Sequence, residues 1–73
     1  MSFAEAIKNM RIKALLSQNK LAEILHVSTG TINRWENGKT RPTITAMNNI
    51  KAFCVHNEIP YEQIEAEWLN ESK

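Results

Sequence analysis

Residues 17–38, SQNKLAEILHVSTGTINRWENG, hold two short amphipathic segments with only about three residues between them. Ser17 and Ser28 are of the type whose side-chain oxygen caps a helix N-terminus. Helical spacing over 18–25 puts Leu21, Ala22 and Leu25 on one side, and over 29–36 it puts Ile32 and Trp35 on one side. Gly38 stands where a helix stops. Two short helices joined by only His26, Val27 and Ser28 have the geometry of a helix-turn-helix. The small Ala22 lets the second helix of the pair approach the first, and Val27 is placed to plug the corner.

The outer face of that second helix raises the question of function. Thr29, Asn33 and Asn37 fall at i, i+4 and i+8, flanked by Gly30 and Arg34, with no acid among them. An ordinary solvated face is one reading, and this face alone does not decide against it. The two-helix spacing favours the other reading, a face for the DNA major groove. There Arg donates bidentately to guanine, Asn pairs with adenine, and a Thr methyl meets the thymine methyl.

No stretch alternates convincingly with period two, so the whole chain reads as all-α. Ser2 with Glu5 is a capping box that opens a first helix over 3–14, with Phe3, Ile7, Met10 and Ala14 inward. Pro42 and Thr43 open a fourth helix running to about His56, with Ile44, Met47, Ile50 and Cys54 inward. Pro60 sits near the start of a fifth, with Tyr61, Ile64 and Trp68 or Leu69 on one side. Seventy-three residues with these elements form a single domain, 1–73, too small for a deep enzyme pocket and its supporting shell.

The residues Arg11, LSQNKLAEIL (16–25), VSTGTINRWENGK (27–39) and RPT (41–43) together resemble the Cro/cI-like, Xre-type helix-turn-helix DNA-binding domains. The resemblance spans about 7–64, and 65–73 extends the last helix. It implies a five-helix lambda-repressor-like fold, a bacterial or phage source, and a transcriptional regulator, expected to repress, that binds double-stranded DNA as a homodimer. Thr29, Gly30, Asn33 and Arg34 match the positions that face base edges. Gln18 matches a glutamine that touches the DNA backbone and buttresses the reading helix, and Thr31 matches a position that meets phosphate. Asn37, Lys39, Thr40 and Arg41 match the loop that grips the sugar-phosphate backbone. Arg11 and Glu36 match a buried ion pair. Trp68 and Leu69 need burial, in the core or in a dimer contact. Three positions depart from the pattern. His26 and Leu15 stand where glycine is usual, and Gly30 brings no side chain to the bases.

Charge is uneven. Residues 1–57 carry eight Lys and Arg against three Glu, while 58–73 carry five Glu and Lys73. A basic face for a polyanion and an accidental split explain this equally well from charge alone. The acidic end with Trp68 supports a rival reading, a protein-interaction, antitoxin or mobile-element control module. RNA is disfavoured because the basic face lacks stacking aromatics. No catalytic constellation and no cofactor motif stands out, so no enzyme is expected. Cys54, His26 and His56 do not have metal-ligand spacing. No apolar run of about 18 residues spans a membrane. The amphipathic N-terminus is no signal peptide, and with the single Cys54 a cytoplasmic protein is expected.

Overall fold

Four of the five helices begin on a hydroxyl that fixes where they start. The computed structural model describes residues 2–71 and contains α1 (Phe3–Lys13), α2 (Gln18–Leu25), α3 (Thr29–Glu36), α4 (Ile44–His56) and α5 (Glu62–Asn70), with no strand among the described residues. Ser2, Ser17, Ser28 and Thr43 each accept a hydrogen bond from the backbone N–H three residues on. Glu5 answers Ser2 by accepting from its backbone N–H at 3.1 Å. That bond and the Ser2 hydroxyl hold the Glu5 carboxyl below the usual carboxylate range. Helix α5 has no side-chain cap. Glu62 and Glu65 in its first turn offset its exposed N–H groups instead.

The first four helices end alike. In each, a residue with φ between 57° and 71° follows the last turn, at Leu15, His26, Gly38 and Glu58. Each turn closes with the paired backbone bonds of a Schellman motif, such as His26 N to Glu23 O and Val27 N to Ala22 O. Only one of the four is glycine. At the other three the next residue, Leu16, Val27 or Ile59, packs against the core. That apolar anchor selects the left-handed turn although the side chain before it opposes it.

The core sits between all five helices. Helix α1 contributes Phe3, Ala6, Ile7 and Met10, α2 contributes Leu21, Ala22 and Leu25, and α3 contributes Ile32 and Trp35. Helix α4 contributes Met47, Ile50, Phe53 and Cys54, and α5 contributes Ile64. Helix α2 packs most extensively on α3, α1 lies against α3 and α5, and α2 also meets α4. Burial pushes the Cys54 thiol up to about 11, and its Sγ lies 3.4 Å from Met10 Sδ.

Two expectations for the core are corrected. Ile44 is 70% exposed rather than inward. It is the first residue of α4, beyond the edge of the core, and Phe53 supplies the missing apolar group one turn from Ile50. Ala14 is the cap of α1 rather than its last helical residue. At the far end Trp68 packs on the core and Leu69 stays 53% exposed.

Candidate nucleic-acid interface

Helix α3 turns Ile32 and Trp35 fully inward, so by its 3.6-residue period Thr29, Gly30, Asn33 and Arg34 face solvent. The one acid of α3, Glu36, leaves only 4% of its side chain accessible. Arg11 Nε donates to Glu36 Oε2 at 2.7 Å, Arg11 Nη2 to Glu36 Oε1 at 3.1 Å, and Arg11 Nη1 to the Leu16 carbonyl at 2.8 Å. Glu36 in turn raises the pKa of the Arg11 guanidinium. The acid is neutralised inside the domain, and the outer face of α3 carries only hydroxyls, amides and the Arg34 guanidinium. Such a face accepts a polyanion without repulsion.

Gln18 takes part in this network. Its Nε2 donates to Glu36 Oε1 at 3.1 Å, which ties the first turn of α2 to the last turn of α3. The first turns are joined too, because Thr29 Oγ1 donates to Asn19 Oδ1 at 2.8 Å. Asn19 escaped the sequence reading. Its signal was weak, a lone exposed amide in the first turn of α2, yet it fixes the Thr29 hydroxyl at the edge of the candidate reading face.

Other polar groups of α3 are ordered among themselves. Ser28 Oγ and Thr31 Oγ1 share a hydrogen bond of 2.9 Å, and Arg34 Nη2 approaches Thr31 Oγ1 at 3.4 Å. Asn37 Nδ2 donates to the Asn33 carbonyl at 2.8 Å and to Asn33 Oδ1 at 3.2 Å. Gly30 lies beneath the Arg34 side chain. A Cβ there would lie 3.4 Å from Arg34 Nη1, so the guanidinium passes in contact distance over the first turn of the helix.

After α3 the chain turns at Gly38, whose φ of 71° suits glycine. Lys39 and Thr40 are exposed on the loop that follows. Arg41, expected beside them at the phosphates, is half-buried and directed inward. Its guanidinium lies over the Trp68 ring, 4.2 Å from the centroid, and Nη2 donates to the Trp68 carbonyl at 2.9 Å. Trp68, expected to choose between core and dimer contact, is engaged within the domain, where its Nε1 donates to the Pro42 carbonyl at 2.9 Å. Of the expected contact residues, Thr29, Gly30, Asn33, Arg34, Asn37, Lys39 and Thr40 are exposed, Thr31 is half-buried beside them on α3, Gln18 is engaged with Glu36, and the Arg41 guanidinium is engaged with Trp68. His26 is exposed at the end of α2 with φ 60°.

These features define a class, a helix-turn-helix domain whose second helix presents a polar, acid-free face. The chain belongs to the helix-turn-helix family of the Cro/cI type, whose model matches residues 7–50. It is also similar to the HTH-type transcriptional activator BcrR of Enterococcus faecalis, at 38% identity over 53 residues. That match covers 73% of this chain and 26% of the relative, so the chain spans about a quarter of the relative's length. No solved structure matches it. Among the described residues, no helix is long and apolar enough to cross a membrane, and no three His, Cys, Asp or Glu gather as metal ligands.

Proposed function

We propose that this chain binds duplex DNA sequence-specifically by laying α3 in the major groove, and that it regulates transcription. One observation carries the reading. Thr29, Gly30, Asn33 and Arg34 share an exposed face of α3 from which the only acid, Glu36, is withdrawn into a bond with Arg11. Arg34 reads guanine and Asn33 reads adenine, contacts worth about 1–3 kcal/mol of discrimination each. Thr29, held by Asn19, offers its methyl to thymine. Thr31, Lys39 and Thr40 meet phosphates, and Lys39 adds affinity that falls with salt. Gln18 acts chiefly as the brace between α2 and the Glu36 carboxylate.

The regulator works as a cytoplasmic homodimer on two inverted half-sites, with Leu69 on the exposed side of α5 as part of the contact. Bound at a promoter it represses by occupancy. The relative's description as an activator favours the opposite sign, and a reporter fused to the operator separates the two. No cofactor and no catalysis is assigned. The decisive experiment is selection of bound duplexes from a random library at about 0.15 M salt, with Asn33→Ala/Arg34→Ala as control. Inverted half-sites centred about one helical turn apart, and lost in the control, are the expected result. Enrichment without a motif, the same in the control, means that α3 does not read bases.

A further inference from the structure

The loop between α3 and α4 has few bonds of its own. The amides of Gly38 and Lys39 close α3, and the Thr43 hydroxyl opens α4. Between them, 40–42 leans on α5 through a reciprocal clasp. The Trp68 indole N–H donates to the Pro42 carbonyl at 2.9 Å, and Arg41 Nη2 donates to the Trp68 carbonyl at 2.9 Å. The flat guanidinium covers the ring at 4.2 Å, a geometry that Lys does not reproduce. Arg41 Nε is buried and without a partner, so the side chain sits in the clasp at the expense of one donor. Three residues on, the Glu71 carboxylate accepts from the Phe3 N–H at 2.7 Å and ties the end of α5 to the first turn of α1. Phe3, Lys39, Thr40, Arg41 and Glu71 line one cleft of about 200 Å³.

We infer that Arg41 is a positioning residue for DNA binding, not a phosphate contact. Through Trp68 it holds the loop so that the exposed Lys39 and Thr40 meet the DNA backbone, and the last turn of α5 becomes part of the grip. The inference rests on the DNA-binding reading above. To reach a phosphate, Arg41 would have to leave both the indole face and the Trp68 carbonyl, and Trp68 would lose its cover.

Counterion release separates the two roles. Each phosphate neutralised contributes about 0.9 to the slope of log affinity against log salt. The experiment measures operator affinity across a salt series for the full chain and for Lys39→Ala, Arg41→Ala, Arg41→Lys, Trp68→Ala and Trp68→Phe. Lys39→Ala flattens the slope by about 0.9. Arg41→Ala and Trp68→Ala weaken binding roughly tenfold at every salt, about 1.4 kcal/mol, and leave the slope as it was. Arg41→Lys fails to rescue, and Trp68→Phe, which keeps a ring but no N–H, falls between. Amide exchange over 39–43 quickens in the Arg41 and Trp68 variants while α2 and α3 keep their protection. A slope flattened by a full phosphate in Arg41→Ala overturns the inference, as does unchanged loop exchange. A wild-type chain with no operator and no salt dependence instead overturns the DNA-binding reading, and the exchange data then still decide whether the clasp orders the loop.

Discussion

Helices α3 and α5 are nearly equal in length and each carries one tryptophan, yet they are held in different ways. Helix α3 has a serine cap, a terminating glycine, a tryptophan only 3% exposed and an acid locked to Arg11. Helix α5 has no side-chain cap, buries Ile64 alone among its residues, and leans on the clasp with Arg41 and Pro42 and on the Glu71 bond to α1. The first has its start, its stop and its buried face specified by signals within a few residues of itself, with one distant brace at Arg11. The second is specified by partners far away in the chain. A helix of the first kind can leave most of its outer face free for a ligand, because its cap, its buried face and its braced acid do most of the holding. A helix of the second kind is a place where a distant change alters the fold.

Truncating the two indoles tests this contrast most severely. Trp35→Ala is expected to destabilise the domain by about 3–5 kcal/mol, enough to unfold a chain this small. Trp68→Ala removes a half-buried ring at an edge and is expected to cost no more than about 2 kcal/mol. Urea denaturation measures both, and equal losses would erase the distinction. The brace of α3 comes next. Arg11→Ala leaves the Glu36 carboxylate buried without its cation, a change expected to cost on the order of 3 kcal/mol. Glu71→Ala removes one bond at the edge of α5 and is expected to cost about 1 kcal/mol.

The turns leading into the two helices sharpen the comparison in the other direction. His26 before α3 and Glu58 before α5 both adopt left-handed φ with a side chain that opposes it. Glycine at either position is expected to add about 1 kcal/mol of stability, seen as a raised melting temperature. A loss at His26→Gly alone would show that the histidine has a partner in the turn. The smallest effect concerns a purely local signal. Glu5 is stabilised in its charged form by the capping box, so its contribution is present above its ordinary pKa of 4.5 and fades as pH falls through the lowered folded value. Glu5→Gln is expected to lower the melting temperature slightly at neutral pH and to match the wild type in acid. A difference that persists in acid would place the effect elsewhere than in the carboxylate.

Helices α2 and α3, their caps and the inward Leu21, Leu25, Ile32 and Trp35 were legible in the sequence, because caps, turn residues and helical periodicity act over at most four or five positions. The left-handed turn at His26 was expected from the family resemblance, which places glycine there, and the structure has it at φ 60°. The pairing of Arg11 with Glu36 came from family resemblance rather than spacing, and the structure supplied its geometry. Tertiary structure alone decided the rest. The exposure of Ile44 and the burial of Phe53 depend on where the core ends, which no periodicity marks. Asn19 reaches Thr29 only because α2 and α3 cross. Arg41 lies 27 residues from Trp68. Read along the chain it is one more cation beside Lys39, and it turns inward because folding brings the Trp68 indole face and carbonyl within its reach.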